Sequence, residues 1–96
     1  MNISVSKEAV QWYKDELMLQ EGDFIRFFVQ YGGCSTVQKG FSLGVRKDTP
    51  MNAAVKTKKD GITFFVEDED EWYFDDHNLS VTYHNGEEAP TFHYEK

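Results

Sequence analysis

The chain has 96 residues, of which 17 are acidic and 10 basic, for a net charge of −7. That length suits one domain with a real core and leaves no room for a second, and the negative charge opposes nucleic acid and anionic membrane surfaces as partners. Eight Phe, five Tyr and two Trp within a 40% hydrophobic content exclude global disorder, despite a mean hydropathy of −0.62.

The longest apolar runs, Phe27-Phe28-Val29 and Ile62 to Val66 around Thr63, fall far short of a membrane-spanning helix. The opening Met1-Asn2-Ile3-Ser4-Val5-Ser6-Lys7-Glu8 has no basic stretch followed by an apolar one, so no secretory leader is expected. A single cysteine cannot form an internal disulfide, which fits a reducing, cytoplasmic setting. The expectation is one domain over residues 1–96.

Ile3-Ser4-Val5 reads as a short strand, with Ser6 as the N-cap of the helix that follows and Glu8 in its first turn. Val10, Tyr13 and Leu17 recur at helical spacing, with Ala9 and Met18 flanking them, so one amphipathic helix is predicted from Lys7 to about Leu19. After Gly22-Asp23 the period changes to two. Ile25, Phe27, Val29 and Tyr31 share one face of a strand, and Phe24, Arg26, Phe28 and Gln30 the other. Phe41, Leu43 and Val45 alternate in a second strand, giving a hairpin with a long tip over 32–39. Within that tip Gly32 and Gly33 permit positive φ, and Gly40 and Gly44 mark bends, a bulge or a close approach.

Lys47 to Ala53 is a polar connector, and Pro50 makes it a poor strand. Ala54 to Lys58 and Ile62 to Glu67 flank Asp60-Gly61, a two-residue hairpin turn in which both residues tolerate positive φ. The acidic run Glu67-Asp68-Glu69-Asp70-Glu71, with Asp75-Asp76, invites a calcium reading. Counting from Asp68, however, the fifth and sixth places are Trp72 and Tyr73, and the EF-hand pattern fails. The better reading is structural: Asp68 as N-cap with Glu71 three residues on, opening a short helix to about Phe74 that tucks Trp72 or Phe74 under the sheet. Leu79, Val81 and Tyr83 then alternate in a strand, and Phe92 and Tyr94 in a last one. His84 and His93 fall on the polar faces.

Cys34, His77, His84 and His93 are the whole soft-ligand inventory. Their spacing contains no chelating pair such as C-x2-C or H-x3-H, so a zinc site of these four side chains would have to assemble in space. Nucleophilic catalysis by Cys34 would need His84 or His93 as base, and the local sequence matches no cysteine-protease signature, C-x-x-C motif or phosphate loop. Ser35 and Thr36 either donate hydrogen bonds to a bound sulfur or satisfy the backbone of the turn.

The order of these segments resembles the HesB-like domain family, the fold of A-type iron–sulfur carriers and scaffolds. Gly32-Gly33-Cys34-Ser35 followed by Gly40-Phe41-Ser42-Leu43 is similar to that family's G-G-C-S-G-F-x-Y-G-L segment. Ile3-Ser4-Val5-Ser6 looks like its opening strand and cap, Asp60-Gly61-Ile62-Thr63-Phe64-Phe65-Val66 like its D-G-V-x-x-V-V-D strand, and Leu79-Ser80-Val81-Thr82-Tyr83 like its I-D-Y strand. The resemblance implies a mainly β fold, a sandwich of mixed sheets with one N-terminal helix and a short second helix.

For function the resemblance implies a non-enzymatic protein of iron–sulfur cluster or iron handling, with Cys34 as cofactor and metal ligand. The family's two further cysteines, in a C-terminal C-G-C, have no counterpart in Thr91-Phe92-His93-Tyr94-Glu95-Lys96. The chain is therefore similar to the short YneR-like branch, and Cys34 alone carries over. A cluster would draw its other ligands from His93, Glu95, an exogenous thiol such as glutathione, or the Cys34 of a second copy in a homo-oligomer. Two other readings stand beside this one. One is a cofactor-free interaction or regulatory domain whose acidic surface, Glu67 to Asp76, meets a basic protein partner. The other is a thiol sensor or enzyme using Cys34, which predicts a depressed thiol pKa.

Overall fold

The computed structural model describes residues 1–35 and 37–96, with the side chain of Cys34 also outside the description. The first strand, β1 (Ile3–Val5), leads directly into helix α1 (Lys7–Leu17). Ser6 caps the helix as its sequence predicts, its Oγ accepting from the Ala9 N–H at 3.1 Å. The helix ends two residues earlier than its periodicity suggests. Met18 turns into the left-handed region at φ 52°, and the Leu19 N–H reaches back to the Lys14 carbonyl at 3.0 Å, the six-to-one bond of a Schellman ending.

Strands β2 (Phe24–Cys34), β3 (Lys39–Lys47), β4 (Ala53–Lys59) and β5 (Ile62–Glu67) make a four-stranded sheet in the order β3-β2-β5-β4. Two antiparallel hairpins are joined in it by a parallel β2–β5 pair, in which Ile25 lies opposite Phe64. The turn of the second hairpin is Asp60-Gly61 as predicted, at φ 51° and 80°, the pair of positive values that a type I′ turn demands. Strands β6 (Asn78–Thr82) and β7 (Thr91–Glu95) form a smaller sheet with β1, in the order β1-β6-β7. There β1 runs parallel to β6, with Ile3 opposite Leu79. The mainly β, mixed-sheet architecture implied by the family resemblance is therefore present.

Both sheets and α1 bury side chains in one core. Tyr13 of α1 meets Phe27 and Phe64 at 6.3 and 6.0 Å between ring centroids, and those two rings stack at 5.8 Å. Val10, Ile25, Ile62, Leu79 and Val81 close around them, all fully buried.

The acidic segment forms the short helix expected of it, a 3₁₀ helix over Asp68–Phe74, but with a different cap. Its N-cap is Glu67 and not Asp68, and the Glu67 carboxylate is turned away from the helix, accepting from the Asn52 and Met51 N–H groups at 2.9 and 3.2 Å. Of the two aromatics expected to tuck under the sheet, Phe74 goes into the core, together with Tyr73, whereas Trp72 remains half exposed.

One cation fixes this helix to the large sheet. The Arg26 guanidinium on β2 donates to Glu69 at 2.8 Å, to Asp70 at 3.0 Å and to Asp48, beyond the end of β3, at 3.4 Å. The Arg26 and Asp70 side chains are 13% and 11% exposed, so each needs the other's charge. Replacing Arg26 by Met should lower the unfolding free energy by about 2–3 kcal/mol in urea titrations, somewhat less than the ~3–5 kcal/mol for breaking a fully enclosed pair. Combining it with Asp70→Asn should recover part of that loss.

Candidate functional site

The Gly-Gly-Cys segment is built differently from a hairpin tip. Strand β2 continues through Gly32 and Gly33 to Cys34, which pairs with Lys39, so the connecting loop shrinks from 32–39 to 35–38. Between the Tyr31–Phe41 and Cys34–Lys39 pairs, Gly32 and Gly33 face the single residue Gly40, which makes a bulge. Gly32 and Gly33 take φ of 95° and 76°, and a Cβ on Gly33 would stand 2.9 Å from Ser42 Oγ. Side-chain bearing residues resist that backbone. Ser42 also donates to the Gly32 carbonyl at 3.1 Å and accepts from Gln30 Nε2 at 3.2 Å.

Ser35 serves the backbone of the loop: its hydroxyl donates to the Gln38 carbonyl and accepts from the Gln38 N–H, both at 3.1 Å. Thr36 and the thiol of Cys34, the one predicted ligand, lie outside the described residues.

The histidines are held separately. His77 Nδ1 donates to the Phe74 and Asp75 carbonyls at 2.8 and 3.0 Å, just past the 3₁₀ helix. His93 Nε2 on β7 lies 2.9 Å from Thr82 Oγ1 on β6, and His84 is exposed beyond the end of β6. Among the described residues no three His, Cys, Asp or Glu side chains gather as metal ligands, so the histidine part of the four-ligand zinc arrangement is not assembled. The donor set does not fit a cluster held within one chain either: one thiol is present where the common clusters take four protein ligands.

The acidic surface is narrower than the run Glu67 to Asp76. Glu67 and Asp70 are buried and serve Met51, Asn52 and Arg26. Glu71, Asp75 and Asp76 remain exposed and, among the described residues, form no ion pair. With Met1, Trp72 and Phe74 they line a hollow of about 330 Å³.

Beside that hollow stands a feature the strand alternation conceals. Tyr31 was expected on the apolar face with Ile25, Phe27 and Val29, yet it is 92% exposed because β2 outruns the core. Its ring packs edge-on to Phe41 at 5.2 Å, and Phe41 packs edge-on to Trp72 at 5.3 Å. Counting the hairpin back from the expected 32–39 tip sets Tyr31 against Gly40, and only the bulge at Gly32-Gly33 brings it opposite Phe41; Trp72 arrives from 31 residues further along the chain, and no local pattern shows its approach. A second hollow, of about 360 Å³, lies between α1 and the β7 side of the molecule, lined by Trp12, Leu17, Val45, Pro90 and Phe92 among others.

Two mixed sheets, an N-terminal helix and a Gly-Gly-Cys bulge closing the β2–β3 hairpin define a HesB-like domain. The chain matches the iron–sulphur cluster biosynthesis family over residues 1–95 and belongs to it. A Bacillus subtilis (strain 168) protein named pyruvate dehydrogenase inhibitor is 56% identical over 95 residues, covering 99% of this chain and 100% of its own length. Uncharacterized proteins of Staphylococcus saprophyticus and Staphylococcus haemolyticus are 39% and 33% identical over 89 and 84 residues, which is 90% and 84% of this chain and 91% and 85% of theirs. Among the described residues no helix is long and apolar enough to cross a membrane.

Three surface carboxylates are held below their usual range. Asp23 accepts from the Gln20 N–H and pairs with Lys47; Asp48 accepts from the Thr49 N–H and pairs with Arg26 and Arg46; Glu87 accepts from the His84 N–H and the Thr91 hydroxyl. Each therefore stabilises the fold while it is ionised, above its unfolded pKa, and loses that contribution as pH falls through its lower folded value. The melting temperature should vary little between about pH 7 and 5 and fall steadily below about pH 4, as followed by circular dichroism.

Proposed function

We propose that this chain is a non-catalytic, protein-binding member of the iron–sulphur cluster biosynthesis family that inhibits pyruvate dehydrogenase by direct association. The observation that carries this reading is the 56% identity with the Bacillus subtilis pyruvate dehydrogenase inhibitor, which extends across the whole length of both chains. The donor set agrees with it, since the single thiol and three separately engaged or exposed histidines give a cluster no intramolecular cage. The test is to add purified chain to pyruvate dehydrogenase from its own host and from Bacillus subtilis, following pyruvate turnover. Saturable inhibition, with co-sedimentation of the two proteins, is the expected outcome. Full activity under a large excess of the chain would refute it.

A second reading keeps Cys34 as an iron or iron–sulfur ligand, with the remaining ligands supplied from outside the chain by a thiol or a second copy. The Gly32-Gly33-Cys34 bulge and the family match over 1–95 support it. Anaerobic reconstitution with iron, sulfide and glutathione would then give visible absorption that Cys34→Ser abolishes. A colourless wild-type protein would remove this reading.

A further inference from the structure

We infer that the Tyr31–Phe41–Trp72 ladder, with the carboxylates of Glu71, Asp75 and Asp76 beside it, is a docking surface for an arginine-bearing segment of a protein partner. The inference rests on the protein-binding reading above and assigns that binding to one face of the molecule.

The ladder is exposed where apolar side chains usually avoid water. Tyr31 and Trp72 are 92% and 52% exposed, and such rings grouped together mark contact surfaces rather than scattered surface residues. It is also rigid. Trp72 packs edge-on to the fully buried Tyr73 at 6.3 Å, and Tyr73 packs on Phe74 and Tyr94 at 5.2 and 5.9 Å. A continuous chain of rings thus runs from the solvent into the core, with Arg26 holding the 3₁₀ helix from behind. A platform fixed in this way loses little entropy when it is covered.

Charge selects the occupant. Glu71, Asp75 and Asp76 flank Trp72 around the 330 Å³ hollow and carry no internal counter-charge among the described residues. A guanidinium satisfies both parts of this surface, stacking on an aromatic face while its N–H fork meets a carboxylate. A lysine ammonium can lie over a ring but has neither the planar stack nor the bidentate fork. A second copy of this chain fits poorly, because it would bring the same three carboxylates against themselves in a molecule of net charge −7.

The probes are two short blocked peptides, Gly-Arg-Gly-Arg-Gly and its lysine counterpart, titrated into nitrogen-15-labelled full-length chain and followed by NMR. The arginine peptide should shift the Trp72 indole signal and the amides of Tyr31, Phe41 and residues 71–76, and bind several-fold tighter than the lysine peptide. Tyr31→Ala, and the pair Asp75→Asn with Asp76→Asn, should each weaken it by about three- to tenfold. These variants should retain the wild-type spectrum elsewhere, since all three side chains are exposed and Asn tolerates the positive φ that both aspartates adopt. Equal binding of both peptides, shifts centred on another face, or self-association through the ladder without peptide would overturn the assignment. The same variants in the pyruvate dehydrogenase assay separate the two claims. Variants that inhibit like wild type refute this surface and leave the function standing. A wild-type chain that does not inhibit refutes the function, and the peptide titration then decides the surface alone.

Discussion

The arrangement of this molecule depends on one largely buried guanidinium. Arg26 leaves the outer face of β2 and gathers Asp48, Glu69 and Asp70, three carboxylates from two segments that share no backbone ladder with each other. Without a cation at that point the 3₁₀ helix, with four acids in its first turn, would repel itself and hold a buried Asp70 with no partner. With it, the helix lies against the sheet, Tyr73 and Phe74 enter the core, and Trp72 is delivered to the edge of Phe41. The arrangement is incomplete in one respect: Arg26 Nε is buried and has no hydrogen-bond partner among the described residues, a cost that the three charged contacts outweigh.

The Gly-Gly-Cys segment takes on a different meaning in this setting. Its glycines are required by the backbone, because two residues of β2 must face one of β3, at φ values that L side chains rarely adopt. That requirement stands whether or not a cofactor binds. A member of this family can therefore need the bulge for its backbone alone, and the proposed role in recognising a protein draws on the surface beside it. The acidic charge fits that use, since it steers a basic partner toward the molecule while opposing nonspecific contact with polyanions.

Much of this fold was legible in the sequence. Ser6 before an amphipathic run, Asp60-Gly61 between alternating strands, and the Ile25–Phe27–Val29 face are local patterns, and each appears where the spacing puts it. What escaped was non-local. The parallel pairing of β1 with β6 joins residues 76 apart, and no short window contains both. Glu67 and Asp70 read as solvated members of an acidic run, yet the Met51 and Asn52 amides and Arg26 draw them inward. Tyr31 kept the period of its strand after the core had ended, so alternation placed it inside when it stands in solvent. Of the proposed docking surface the sequence showed only the acidic side chains, because the aromatic ladder exists only once Trp72 meets Phe41.

Under the proposed reading this chain works by recognising a protein, and a cofactor on Cys34 plays no part in that. The most direct test is to strip both wild-type and Cys34→Ser chains with a chelator and titrate each into pyruvate dehydrogenase. Equal inhibition by the two metal-free proteins is predicted. Inhibition that disappears with Cys34→Ser, or that appears only after loading with iron and sulfide, would contradict that reading.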